Sequence, residues 1–200
     1  MSNSSPKTIK HKRASVDLSS YDNSAHDSGA GKIKMILWYY TNLWFFKSAW
    51  LPIMGIKRAL LKLFGAKLGQ GVIIKPSVNI KYPWKLEIGH HVWLGEGVWI
   101  DNLEPVVLGD NVCLSQNALL LTGGHSISKV SFDYESGPIV LEEGVWIGAQ
   151  AVVGQNVRCG SHSILGINAV AESDLKPYTV YKGNPAIPIL ERSIKAQKPL

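Results

Sequence analysis

One residue of this chain stands where it could move a proton. His125 closes the run Thr122-Gly123-Gly124-His125 and opens residues 126–140, the one long interruption in a periodic region. A free imidazole titrates at about pH 6.5 and can take the proton of an attacking hydroxyl. The glycines beside it would let a ligand or a second chain approach closely. The other histidines carry less. His11 and His26 lie in a polar stretch and read as solvated, while His90, His91 and His162 fall at outward positions. A three-His zinc site with an H-x₄-H pair would need histidine at 120 or 130, but these are Leu120 and Val130, so no metal is expected. Two cysteines, Cys113 and Cys159, exclude a disulfide framework and a four-Cys zinc site, and read as small buried residues of a reducing compartment.

The region that must position His125 has a period of six. Hexads begin at Leu68, Ile74 and Ile80, then after a skip of two at Ile88, Leu94 and Ile100, and after two more at Leu108, Leu114 and Leu120. Following residues 126–140 they resume at Leu141, Ile147, Val153, Cys159, Leu165 and Ala171. Thirteen of these fifteen first positions are Leu, Ile or Val, far above the share of those types in the chain, 55 of 200. Second positions are Gly at 69, 89, 95, 109, 148, 154, 160 and 166, and fifth positions are mostly Val or Ala. One short strand plus one corner accounts for a hexad, and three hexads make a triangular coil. The first-position side chain points inward, the fifth must be small or β-branched to share the interior, and glycine at the corner suggests backbone angles that a Cβ would oppose. The expected fold is an all-β parallel β-helix of five coils, 68–85, 88–105, 108–125, 141–158 and 159–176. Spacing alone does not fix its handedness.

The charge is distributed unevenly. The net charge of +6 first suggests nucleic acid or a membrane surface. Residues 1–67 hold 11 Lys or Arg against 3 Asp, a balance of +8, and residues 68–200 hold 10 against 12, a balance of −2. The repeat region therefore has no basic stripe, and nucleic-acid binding is not expected there. Residues 1–31 are polar and read as a mobile arm with no secretory signal, which implies a cytoplasmic protein. Residues 32–67 form a helical, basic extension, and seven of the thirteen residues from Trp38 to Trp50 are aromatic. One helix is expected up to Pro52 and a second over about 53–64, ending at Gly65. These helices could pack on the body or a neighbouring subunit, or could lie at the inner face of the cytoplasmic membrane as an interfacial anchor. Residues 177–200 read as a C-terminal tail.

Several segments together resemble a known family. They are Val145-Trp146-Ile147-Gly148-Ala149-Gln150-Ala151-Val152, Gly183-Asn184-Pro185-Ala186, Leu63-Phe64-Gly65-Ala66-Lys67-Leu68-Gly69, Pro76-Ser77-Val78, Tyr82-Pro83-Trp84-Lys85-Leu86, Ser115-Gln116 and Thr122-Gly123-Gly124-His125. The chain resembles the hexapeptide-repeat acyltransferases, and within them the colanic-acid and exopolysaccharide biosynthesis acetyltransferases. The likeness reaches back to Asp17-Leu18-Ser19. It implies a left-handed β-helix, a homotrimer with active sites between subunits, and acetyl transfer from acetyl-CoA to a sugar hydroxyl, with a sugar or lipid-linked oligosaccharide as acceptor.

The same resemblance implies roles for residues. His125 would be the general base, and the Gly148–Ala149 corner would supply a backbone N–H to the oxyanion. Trp146, Gly166, Ile167, Ala169, Lys182 and Asn184 would border the CoA channel. Where relatives carry a lysine near the end of the last coil and a basic residue after Asn-Pro-Ala, this chain has Ser173 and Ile187. Lys176, Lys182 and Arg192 are candidate replacements as phosphate partners. The asparagine that assists catalysis in galactoside-type relatives would fall near Gly95 or Glu96 and is missing, which leaves Asp101 as a candidate orienting acid. Acceptor candidates are Tyr82, Trp84, Glu96 and Asn102, with Phe132, Asp133, Tyr134 and Glu135 from the loop, because aromatic faces stack on sugar C–H groups and carboxylates accept sugar hydroxyls. Trp84, at a fifth position, could equally be interior packing. N-acetylation of an amino sugar and a non-catalytic scaffold are the alternatives.

Overall fold

The structure is a computed structural model that describes residues 14–22, 24, 26–50 and 53–195. Three parallel sheets form the sides of a triangular prism. The first contains Lys67–Leu68, Leu86–Ile88, Val106–Leu108, Ile139–Leu141 and Arg158–Cys159. The second contains Ile73–Ile74, Trp93–Leu94, Cys113–Leu114, Trp146–Ile147, Ile164–Leu165 and Thr179–Lys182, with Ile187–Glu191 antiparallel at its edge. The third contains Asn79–Ile80, Trp99–Asp101, Leu119–Leu121, Val152–Val153 and Val170–Ala171. The fold is a left-handed parallel β-helix of about six turns.

The register explains the period of six. Leu68, Ile88, Leu108, Leu141 and Cys159 stack in one column. Ile74, Leu94, Leu114, Ile147 and Leu165 form the second, and Ile80, Ile100, Leu120, Val153 and Ala171 the third. All but the first of these fifteen side chains are buried, and Val72, Val92, Val112, Ala118, Val145 and Ala151 fill the corners between them. Each buried Leu or Ile contributes about 1.5–3 kcal/mol of transfer free energy, so the interior columns hold the prism together.

Two expectations need correction. The second column continues through Tyr181, which pairs with Leu165, and Leu175 bridges to Cys159, so part of the segment read as a tail builds the sixth turn. The corner glycines also act differently from the expectation. The left-handed backbone angles occur at the fourth position of the hexad, on His91, Asn111, Asn117, Gln150, Asn156, His162 and Asn168. The second-position glycines answer to close stacking. A Cβ on Gly109 would lie 2.8 Å from the Glu143 nitrogen of the next coil, and one on Gly148 would lie 2.8 Å from the Gly166 carbonyl carbon.

Neighbouring coils exchange backbone hydrogen bonds in both directions, as the Ile73 N–H donates to the Val92 carbonyl and the His91 N–H to the Gln70 carbonyl. That arrangement leaves the outward carbonyls of the first coil without a coil to donate to them. The helical extension meets them. Helix α1 (Lys32–Thr41) runs into a π-helical segment, Asn42–Phe46, and helix α2 spans Met54–Leu63. Trp38 Nε1 donates to the Ile80 carbonyl at 2.9 Å, Lys57 Nζ to Lys75 at 3.2 Å and Arg58 Nη1 to Val72 at 2.9 Å. Phe46 and Leu61 close the apolar end of the prism, with Lys57 buried beside them. Burial lowers the pKa of the Lys57 ammonium. Pro52, expected to end the first helix, lies outside the described residues. Among the described residues, no helix is long and apolar enough to cross a membrane.

Candidate active site

The chain leaves the third sheet at Leu121 and turns into a two-stranded hairpin, Gly123–His125 against Tyr134–Ser136. His125 pairs with Tyr134 across it. Gly123 is required here, because a Cβ would collide with the Tyr134 hydroxyl and lie 2.8 Å from Leu103. The imidazole of His125 lies 2.9 Å from the Phe132 carbonyl through Nδ1. A carbonyl only accepts, so Nδ1 carries the hydrogen and donates it. In the neutral ring Nε2 then holds the lone pair. The ring stacks on Phe132 at 4.3 Å and 10°, and meets the edges of Tyr134 at 5.2 Å and Tyr21 at 5.8 Å. His125 remains exposed to solvent. Its tautomer and orientation are fixed, while its basic nitrogen has no hydrogen-bond partner among the described residues.

Asp101, expected as the orienting acid, does not take that part within this chain. Its carboxylate lies 3.1 Å from Lys81 Nζ, and the Phe132 carbonyl holds the imidazole in its place. Asn102 is fully buried and exchanges two hydrogen bonds with the Tyr82 backbone, which makes it a peg between coils rather than an acceptor-binding group. Trp84 is neither free for a ligand nor interior. Residues Pro83–Lys85 form a 3₁₀ turn, and the Trp84 ring lies half-buried against Tyr82, with Nε1 donating to the Ser28 carbonyl at 2.7 Å. Tyr82 is also half-buried, and burial, helped by Asp101, raises its phenol pKa.

The loop candidates cluster more closely. Tyr134 is half-buried, and desolvation first, then the negative charge of Asp101, pushes its pKa up to about 12. Asp133 pairs with Lys129 at 3.1 Å. Glu96 lies away from them, beside Ser115 and Gln116 along the second sheet. Asp17, Tyr21 and His26, expected as part of a mobile arm, lie against this hairpin: the Asp17 N–H donates to the Val130 carbonyl at 2.9 Å, Tyr21 meets the His125 ring, and His26 lies 5.5 Å from the Tyr134 ring.

The candidates for a CoA channel lie on a different edge of the prism. Gly148 and Ala149 follow the second sheet, and Gly166 and Ile167 sit directly above them on the next coil. A Cβ on Gly166 would lie 3.0 Å from the Tyr181 carbonyl oxygen and 3.1 Å from Lys182, so the edge runs on towards Lys182 and Asn184, both exposed. Ala169 is buried inside this edge and Ile167 is 71% exposed on it. At third positions the N–H points sideways. His90 and Ser161 have theirs capped by Asp110 and Glu142, whereas no side chain among the described residues caps that of Ala149. Trp146 lies along the second face, 43% exposed, with Nε1 donating to the Ser115 hydroxyl at 2.8 Å. Of the proposed phosphate partners, Lys176 is exposed, but Arg192 uses Nη1 to hold the Gly144 and His162 carbonyls. His125 and Ala149 thus stand on separate edges, divided by the Val152–Val153 side.

No family model matches the chain. It is 35% identical over 178 residues to a protein of Escherichia coli K12 named for acetyltransferase activity in colanic acid biosynthesis, WcaF, covering 88% of this chain and 97% of that one. This chain belongs to the hexapeptide-repeat acetyltransferases. The acetyltransferase is also 28% identical to the galactoside O-acetyltransferase of the same organism over 68% of each chain. In fold it is similar to a galactoside acetyltransferase solved with coenzyme A, with a TM-score of 0.72 at 25% identity over 80% of this chain and 82% of that one. A Vibrio cholerae hexapeptide-repeat acetyltransferase solved with acetyl-coenzyme A gives a TM-score of 0.74 at 23% identity, over 84% and 93%. Among the described residues of the acetyltransferase, no three His, Cys, Asp or Glu side chains gather as metal ligands. Tyr21, Lys85 and Glu104 around the loop were not singled out by sequence reasoning. Their neighbours come from four separate stretches of chain, and only the Asp17-Leu18-Ser19 motif hinted that the N-terminal segment mattered.

Proposed function

We propose that the protein is an O-acetyltransferase that carries the acetyl group of acetyl-CoA to a sugar hydroxyl in the making of an exopolysaccharide or related surface glycan. The observation that carries this reading is the free Nε2 of His125, left as the base by the Nδ1–Phe132 hydrogen bond. Nε2 takes the acceptor's hydroxyl proton as its oxygen attacks the thioester carbon. The carbonyl electron pair moves onto oxygen, where the Ala149 N–H stabilises it. The oxyanion then collapses, the C–S bond breaks, and the CoA thiolate takes the proton back from Nε2. Lys182 and Asn184 fit the nucleotide end of the donor, and Trp146 with Gly166 and Ile167 fits its pantetheine arm.

The separation of His125 from the Ala149 edge supports a homotrimer in which one subunit brings the base and its neighbour the donor channel. Trp93, Trp99 and Trp146, exposed on the single chain, suit such a contact. Residues 28–86 contain ten Lys or Arg and no Asp or Glu. Helix α1 turns Trp38 inward yet leaves Ile33, Ile36, Leu37 and Tyr40 exposed. A helix apolar on both faces within this cation-rich stretch fits the surface of an anionic bilayer, where lipid-linked acceptors would be met.

The test is to incubate the protein with acetyl-CoA and methyl galactoside or methyl galactosaminide. The expected product is an ester on the neutral sugar, lost in mild base. Acetylation of the amino group alone, stable to base, would overturn the assignment.

A further inference from the structure

A cleft of about 620 Å³ adjoins the His125 hairpin. That volume lies within the range of about 300–1,000 Å³ typical of small-molecule sites. Two parts of the chain build it. The body contributes Lys85, Glu104, Asp133 and Tyr134, and the N-terminal segment contributes Asp22, His26 and Asp27. The segment is tied down on both sides of the cleft. The Asp17 N–H donates to the Val130 carbonyl, while Trp84 Nε1 and Lys85 Nζ donate to the carbonyls of Ser28 and Asp27 at 2.7 and 2.8 Å. Between these ties it touches the catalytic region twice, through Tyr21 on the His125 ring and His26 on Tyr134. Tyr134 faces both the cleft and the base, with its ring edge 5.2 Å from His125.

We propose that Asp22, His26 and Asp27 of the N-terminal segment form one wall of the acceptor site, and that this site takes an uncharged, hydroxyl-rich sugar. The proposal rests on the acetyl-transfer reading above. Both cations of the cleft are already engaged. Lys129 pairs with Asp133, and Lys85 donates to the backbone carbonyls of Asp27 and Leu103. The carboxylates keep spare capacity. Asp27 accepts the Gly29 N–H, Asp22 accepts Ser24, and Glu104 accepts the Ser136 hydroxyl, each with further lone pairs available. Such a lining accepts hydroxyl protons and repels a diphosphate or a carboxylate. A uronic acid or a nucleotide sugar would place its charge against Asp22, Asp27 and Glu104.

Three acceptors test this on the full-length protein with acetyl-CoA: methyl galactoside, methyl glucuronide and UDP-galactose. The wild type should show a KM for the neutral sugar at least about tenfold below those for the two anionic ones. Asp22→Asn/Asp27→Asn should raise the KM for methyl galactoside about tenfold and shrink the discrimination against the anionic acceptors. Glu104→Gln should act in the same direction from the body side. The change should fall on the KM of the sugar rather than on that of acetyl-CoA. If His125-dependent transfer is intact and the double variant treats all three sugars as the wild type does, the wall is disproved while the reaction stands. If the wild type transfers acetyl to no sugar, or does so independently of His125, both readings fall.

Discussion

The β-helix and the N-terminal extension are both rich in apolar residues, yet they place them by different rules. In the body one aliphatic side chain in every six turns inward, and the same position on each coil falls in the same column. Neighbouring coils exchange backbone hydrogen bonds, so each repeat specifies where its neighbour sits. In the extension, helix α1 is apolar on two faces. The inner face closes the open end of the prism through Trp38, joined by Phe46 of the π-helical segment that follows, and the outer face leaves Ile33, Ile36, Leu37 and Tyr40 to solvent. A repeat needs only itself to explain its pattern. The extension is shaped by an edge it must satisfy and by whatever meets its outer face.

The comparison breaks most readily at Leu114, in the middle of the second column and 1% exposed. Leu114→Ala should cost about 2–5 kcal/mol of unfolding free energy, read by denaturant titration. Trp44, at 60% exposure, is the counterpart in the extension. Trp44→Ala should change stability by less than about 0.5 kcal/mol, while weakening co-sedimentation with phosphatidylglycerol vesicles severalfold. A loss at Trp44 equal to that at Leu114 would mean that the outer face is buried in the assembly instead.

The corner residues sharpen the contrast within the body. Gly109→Ala forces a Cβ to within 2.8 Å of the next coil's backbone and should cost about 1–3 kcal/mol. Asn111→Gly, two residues on and at φ +59°, should change the melting temperature little, because glycine reaches that angle without strain. Equal losses at both sites would return the corner glycines to a purely conformational role.

The period of six made the inward columns and the place of His125 at the end of a coil readable before any coordinates, because a repeat is a local rule. What could not be read depends on distant partners. The Gly109 contact is with the following coil, 32 to 34 residues away in sequence, and nothing local distinguishes it from a turn glycine. The Phe132 carbonyl that orients His125 belongs to a backbone conformation, with Phe132 at φ +54°, and no side-chain pattern announces a carbonyl. Asn102 looked like a sugar ligand because its type suits one, whereas its partner is the Tyr82 backbone on the preceding coil. The contacts of Asp17 and His26 with the loop join segments about a hundred positions apart, and composition alone made those residues look free.

A smaller effect separates the interior from the loop through pH. Cys159 is buried in the first column, and its thiol pKa is pushed up from 9.0 to about 12, chiefly by desolvation. A raised folded-state value means that the neutral thiol's contribution is fully present below the unfolded-state pKa and is lost as pH rises from about 9 towards about 12. Urea titrations across that window should show a decline in stability that is shallower in Cys159→Ala. Identical slopes would remove Cys159 from the account.

The most direct test of the central claim compares wild type with His125→Ala for acetyl transfer from acetyl-CoA to methyl galactoside, with melting temperatures measured on the same samples. The account predicts a fall in kcat of at least about 10²-fold with an unchanged melting temperature, because the exposed imidazole acts on the proton rather than on the fold. Equal rates in the two proteins would contradict it.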